Sequence, residues 1–239
     1  IHFTNTCQTP TFFPLSGLDD KWLVAGQDVS KYDTFNEEND KSKLFLYDPN
    51  ERTFELMYED PTYDVAGPVG GCRTASGGAS IDEKTNELIY VSYYAEKPVR
   101  LFFDDEVQQT NDMLEAAFPG EIVRPVTWSK DRNKVVLSVS SSSNPGDFYY
   151  FDKENMILTF LWDSSPWIDR AQLAKKTPIK YTARDGLVIH GYLTIPLGTS
   201  GKNLPMVVHP HGGPNVRDTI GYDTYCLLYT SPSPRDREK

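Results

Sequence analysis

Between Trp22 and Trp162, apolar and polar positions fall into short strand-like runs separated by turn residues, and the runs recur in one order. A polar turn leads into an apolar strand. A loop follows, then an aromatic-rich strand ending in Asp, a turn, and a third strand. The first strands read Trp22–Ala25, Leu88–Tyr94 and Val135–Ser140. The second read Leu44–Tyr47, Arg100–Phe103 and Phe148–Phe151, closing on Asp48, Asp104 and Asp152. The third read Thr53–Tyr58, Asp112–Ala116 and Ile157–Trp162. Aromatic and β-branched residues suit a pleated, half-buried surface. Asp48-Pro49-Asn50 and Asp152-Lys153-Glu154-Asn155 are turn sequences whose side chains cap their own backbone. No stretch before Trp162 sustains a 3.6-residue apolar period, so this part is expected to be all β.

The closing aspartates lie 56 and then 48 residues apart, the range of a propeller blade with variable loops. Antiparallel sheets of about four strands, stacked radially, are the expected arrangement; a β-sandwich is the competing one. A ring takes roughly four to eight blades, so three imply further blades before Ile1. Gly67–Gly78, with Cys72 and Arg73, reads as an inter-blade connection. Arg73 facing a central channel as a carboxylate ligand is the sharper reading. A solvated loop arginine is the favoured one.

The pattern changes after Trp162. Asp163-Ser164-Ser165-Pro166 is a stop followed by a helix-start signal. Trp167, Ile168, Ala171, Leu173 and Ala174 can line one side of a turn or two of helix, and Lys175 and Lys176 suit its C-terminal end. Pro178 forbids continuation. Pro178–Pro196 then alternates with period two around Asp185-Gly186, a hairpin signal. His190 falls on the polar face of its strand and is read as a surface or cross-strand residue. Beyond a Gly/Ser loop, Met206-Val207-Val208 is an unbroken apolar run, as expected of a strand buried on both faces in a parallel α/β sheet. It ends in His209-Pro210-His211-Gly212-Gly213-Pro214. Glycines just past a strand bring bare N–H groups close to a ligand, and a strand running into H-G-G is how an oxyanion loop after the third strand of an α/β-hydrolase is written.

Composition narrows the function classes. A formal net charge of −10 argues against nucleic-acid binding, which needs a basic face. No apolar run reaches the ~20 residues of a membrane helix, and the start is not a signal peptide. The chain opens on Ile1 rather than Met, so the natural N-terminus is expected upstream. Cys7, Cys72 and Cys226 are too few and too far apart for a disulfide framework or zinc site, leaving cytoplasmic and periplasmic settings both open. His209 and His211 lie on one side of the strand end, but a metal site lacks a third ligand here. No metal or cofactor is expected.

Several segments together resemble the prolyl oligopeptidase family of serine peptidases, most closely its acylaminoacyl-peptidase and dipeptidyl-peptidase-like branch. These are A-R-D-G-L-V-I-H-G-Y-L-T-I-P (Ala183–Pro196), L-P-M-V-V-H-P-H-G-G-P (Leu204–Pro214), V-R-D (Val216–Asp218) and G-Y-D (Gly221–Asp223). E-D-P-T-Y-D-V (Glu59–Val65) and W-S-K-D-R-N-K (Trp128–Lys134) are similar to that family's blade signatures. The resemblance implies propeller blades over residues 1–165, a helical linker over 166–177, and the first strands of an α/β-hydrolase domain over 178–225. It also implies peptide-bond hydrolysis on short peptides by a Ser–His–Asp triad, with the propeller filtering substrates by size. His211, Gly212 and Gly213 would form the oxyanion loop, through the histidine side chain or through nearby backbone N–H groups; a purely structural His211 weighs about as much.

From Tyr225 onward the sequence leaves the family's pattern. Cys226–Asp236 resembles an in-frame translated sequencing adapter, so residues 226–239 are expected to be non-native. Pro232 and Pro234 break any helix continuing through them. The nucleophile elbow G-x-S-x-G does not occur in the chain, so the triad residues are expected beyond it and the chain itself to be inactive. Two other classes compete: a non-catalytic propeller binding module, against which the H-G-G-P loop argues, and an esterase on the same hydrolase fold, against which the propeller argues.

Overall fold

The computed structural model describes residues 11–14, 20–26, 41–65, 78–82, 84–212 and 217–231. Gly213, Cys72 and Arg73 lie outside them, with nearly all of Gly67–Gly78. Among the described residues the strands form four antiparallel sheets: β1 (Thr11–Pro14) to β4 (Thr53–Tyr58), β5 (Ala79–Ile81) to β7 (Pro98–Phe102), β8 (Ile122–Trp128) to β11 (Ile157–Asp163), and the hairpin β12 (Lys176–Thr182) with β13 (Val188–Thr194). None of the four closes into a barrel; within each, strand order follows sequence order. β2 (Trp22–Gly26), β3 (Lys43–Asp48), β6 (Leu88–Tyr94), β7 (Pro98–Phe102), β9 (Lys134–Ser141) and β10 (Asn144–Asp152) match the first and second strands read from the sequence, within a few residues. The chain divides into two compact units, Ile1–Thr110 with Pro210–Thr219, and Asn111–His209 with Ile220–Lys239.

In the first unit, sheets β1–β4 and β5–β7 share one core. Leu23 and Ala25 of β2, Leu44 of β3, Val65, and Leu88, Val91 and Tyr93 of β6 are buried together. Leu23, Leu44, Val65 and Val91 are fully enclosed, each stabilising the fold by about 1.5–3 kcal/mol. The E-D-P-T-Y-D-V segment gives Val65 to this core, with Tyr63 packed against it. Asp60 Oδ1 accepts from the N–H groups of Thr62 and Tyr63, and Asp60 Oδ2 accepts from the Tyr93 hydroxyl at 2.9 Å. Burial, with its hydrogen bonds to Tyr58 and Asp60, pushes the Tyr93 phenol well above its usual range.

In the second unit, β9 is central and alternates cleanly, with Val135, Leu137 and Val139 facing inward against Val123, Phe151 and Leu114. Leu114 belongs to helix α1 (Asp105–Ala117). The expected strand Asp112–Ala116 is therefore wrong, as is the expectation of no helix before Trp162. The cause is local. Asp104 Oδ1 accepts from the N–H groups of both Glu106 and Val107 at 3.0 Å, capping the helix. Asp105 and Glu106 then favour its positive end. Asp48 and Asp152 cap turns by the same chemistry; after Asp104 the run D-E-V-Q-Q-T-N-D-M-L-E-A-A lacks the β-branched density of a strand. Asp104→Ala is expected to cost about 1 kcal/mol, read as a thermal midpoint lower by about 2–4 °C. An unchanged midpoint would remove the cap from this account.

The link between β11 and β12 is less helical than expected. It contains a 3₁₀ turn, Arg170–Gln172, capped by Asp169, rather than one or two turns of α-helix. Of its apolar positions only Ala174 is buried, while Trp167 is 79% exposed, so no apolar stripe is packed that would hold a longer helix.

Candidate functional site

The hairpin forms as its alternation predicts, Lys176 pairing with Thr194 and Thr182 with Val188. The connection turns through Gly186 at φ +89°, with Leu187 N–H held by Asp185 Oδ1. His190 pairs across with Lys180 and is exposed. After β13 the chain runs exposed and without regular structure from Leu204 to His211. Met206, Val207 and Val208 are 80%, 63% and 73% exposed, so the expected doubly buried strand is not there. Among the described residues this stretch joins no sheet. A parallel strand is buried only by flanking strands and covering helices, and an apolar run cannot supply those itself.

At the loop, His211 Nδ1 is 3.5 Å from the carbonyl oxygen of Gly212. The His209 ring packs 5.6 Å from the Tyr225 ring. A Cβ built on Gly212 meets nothing within 4 Å; no crowding demands glycine there, and what glycine leaves is uncovered backbone that a ligand can approach. Among the described residues no group of three or more His, Cys, Asp or Glu gathers to hold a metal ion. No described helix is long and apolar enough to cross a membrane.

Two anchored side chains follow this loop in the chain. Arg217, from V-R-D, donates from Nη1 to the Tyr94 carbonyl at 2.9 Å and from Nη2 to the Ala95 carbonyl at 2.7 Å. Its guanidinium lies over the rings of Tyr63 and Tyr94, at 5.2 and 5.8 Å. Asp223, from G-Y-D, caps the short helix α2 (Thr224–Thr230) by accepting from Tyr225 and Cys226 N–H, and its other oxygen lies 3.4 Å from the largely buried Lys176 Nζ. Burial works against the Asp223 charge, but the Cys226 N–H and Lys176 outweigh it and hold the carboxyl below its usual range. The helix stops at Thr230, with Ser231 extended ahead of Pro232, as a proline requires of its predecessor.

A third anchor was not foreseen. Arg170 donates from Nη1 and Nη2 to the two carboxylate oxygens of Asp147, each at 2.6 Å, and its Nη2 lies 2.8 Å from Asp163. A register shift between Asn144 and Asp147, with Gly146 at φ +145°, turns Asp147 toward it. The only sequence signal was the Asn144-Pro145-Gly146-Asp147 string in a strand, where glycine and proline mark a bulge. W-S-K-D-R-N-K likewise proves to be a turn: Asp131 accepts from the Ser129 hydroxyl and the Asn133 N–H, Ser129 Oγ accepts from the Lys134 N–H, and Arg132 takes φ +58°.

No protein-family profile matches the chain. Against curated proteins it is 26% identical over 201 residues to dipeptidyl aminopeptidase BIII of Pseudoxanthomonas mexicana, a match covering 81% of this chain and 27% of that protein. It is 23% identical over 171 residues to dipeptidyl peptidase family member 6 of Caenorhabditis elegans, covering 63% of this chain and 23% of that one. Among solved structures it overlaps a prolyl endopeptidase with TM-score 0.44 at 13% identity, covering 89% of this chain and 28% of the other. It overlaps the AtxE2 isopeptidase bound to Astexin3-dC4 with TM-score 0.40 at 14% identity, covering 82% and 27%. The chain spans about a quarter of the length of the curated relatives it matches. It is thus similar in sequence to dipeptidyl peptidases over most of its own length.

Proposed function

We propose that this chain is part of a serine peptidase of the prolyl oligopeptidase family, in the dipeptidyl-peptidase-like branch, acting on short peptides. Residues 1–165 are blades of a propeller that limits which substrates enter, 166–177 the linker, and 178–225 the start of the hydrolase domain; 226–239 fall outside the family's pattern. His211, Gly212 and Gly213 form one wall of the active site, offering donors to the oxyanion of the tetrahedral intermediate. The serine, aspartate and histidine of the triad lie outside residues 1–239. The observation that carries this reading is the sequence match to dipeptidyl aminopeptidase BIII across 81% of the chain. The uncovered backbone at Gly212 is compatible with it.

The reading is tested on the gene product that contains Asp223 and continues beyond it. A G-x-S-x-G motif is expected within about a hundred residues, from ordinary domain size. The longer protein is expected to react with a fluorophosphonate and to release dipeptides from chromogenic substrates; residues 1–239 alone are expected to do neither. Labelling of a serine within 1–239, or an unrelated domain after Asp223, would overturn the reading.

A further inference from the structure

We propose that Arg217 is a positioning residue for the oxyanion loop, latching the chain just past His211-Gly212 onto the turn that follows β6. The proposal rests on the peptidase reading and adds to it a specific restraint. Its geometry is that of a guanidinium site: two fork donors meet two successive carbonyls, Tyr94 and Ala95, at 2.9 and 2.7 Å, while the flat face lies over Tyr63 and Tyr94. A lysine ammonium is a point donor and reproduces neither the fork nor the stacking.

The receiving surface is itself held in place. Tyr94 pairs with Pro98 in the β6–β7 ladder; Pro98 brings no N–H to that pairing, and Arg217 supplies a donor to the Tyr94 carbonyl. The turn beyond is closed by Ala95 N–H donating to the Lys97 carbonyl at 3.0 Å. Tyr63 is fixed through its own N–H on Asp60, which also takes the Tyr93 hydroxyl. Two residues further on, Val65 is fully buried. The Glu59–Val65 segment thus supplies, through Tyr63, one of the two rings under the Arg217 guanidinium.

The hydrogen bonds of Arg217 go to the Tyr94 and Ala95 carbonyls, so its role is positioning. It acts through five residues of chain, a tether of at most about 18 Å at full extension. Fixing one end of so short a segment narrows where the Gly212 region can sit. Oxyanion donors contribute only when they are already aimed at the developing charge, and a misplacement of about 1 Å costs on the order of a hundredfold in rate.

The experiment compares Arg217→Ala and Arg217→Lys with wild type in the full-length peptidase, using a dipeptidyl chromogenic substrate and fluorophosphonate. For Arg217→Ala, kcat is expected to fall about 10- to 30-fold, below the 10²–10³ of losing an oxyanion donor outright, with KM within twofold. The fluorophosphonate labelling rate should fall in parallel, while the end-point fraction labelled stays at wild-type level. A residue that only stabilises the fold would lower that fraction and leave kcat per labelled site unchanged, which would overturn the proposal. If Arg217→Ala does not fold, Arg217→Lys decides: a kcat reduced about 3- to 10-fold supports the latch, and a kcat within twofold of wild type overturns it. An inactive wild-type protein would bring down the peptidase reading along with the latch; an active one with an unaffected Arg217 variant would bring down the latch alone.

Discussion

Arg170→Ala is expected to lower the stability of the β8–β11 sheet by about 2–3 kcal/mol, a fall in thermal midpoint of about 5–10 °C. Arg170 is the cation between Asp147 and Asp163, whose side chains are only 12% and 24% exposed. Without it, Asp147 keeps its contact from the Asn144 amide but loses both charge-assisted bonds, and two carboxylates face each other unscreened. Removing one member of a buried pair costs 3–5 kcal/mol; the partial exposure of Arg170, at 30%, lowers the figure here.

The pH dependence has a definite sign. Hydrogen bonds from Arg170 hold the Asp147 carboxyl below its usual range in the folded protein. A carboxyl depressed on folding contributes stability above its unfolded value of about 3.9, and loses it as pH falls through the folded value. Wild type and Arg170→Ala should therefore differ most near neutral pH and converge below about pH 4. Adding Asp147→Asn to Arg170→Ala should restore part of the loss by removing the uncompensated charge. An Arg170→Ala midpoint equal to wild type at pH 7 would show that desolvation cancels the pair.

The cluster also marks where sequence reading stopped. Asp147, Asp163 and Arg170 are polar residues at turn-like positions, the usual signature of a solvated boundary. Nothing in their spacing says that a bulge at Gly146 aims one of them at another 23 residues away. The hairpin β12–β13 was legible because a period of two and an Asp-Gly turn are both local properties. The repeated strands were legible for the same reason. Helix α1 was not, because the repeat invited a third strand after Asp104, although its capping aspartate stood in plain sight. The run Met206–Val208 failed differently. An apolar run states what it needs to be covered by, never whether the cover is present. The H-G-G motif gave its location directly, but Arg217 and Asp223, whose contacts are made with distant residues of the chain, appeared in the sequence only as fragments of a resemblance with no role attached.

Leu137→Ala is expected to have the largest effect on the same sheet, about 3 kcal/mol within the 2–5 seen for buried leucines, or about 6–12 °C in midpoint. Leu137 is fully buried on the central strand β9, opposite Pro125 of β8 and Tyr149 of β10. Its cluster includes Leu114, with Met113 and Phe118 of the α1 region packed against it. That makes it the place where the helix and the sheet share one interior. Truncation there forfeits both the transfer energy of the lost methyl groups and the contacts around the void, since a β-sheet core cannot collapse freely. Leu137→Met, which keeps the volume, should cost less than 1.5 kcal/mol. Unlike the Arg170→Ala loss, which shrinks as pH falls below about 4, the Leu137→Ala loss should stay the same from neutral pH down through that range, because no titratable group is removed. Helical circular dichroism should melt together with the sheet signal in both wild type and variant. If α1 melted separately, or if Leu137→Ala left the midpoint unchanged, the cluster of Leu114, Val123, Val135, Leu137, Val139 and Phe151 would not be the single core that fixes α1 to β9.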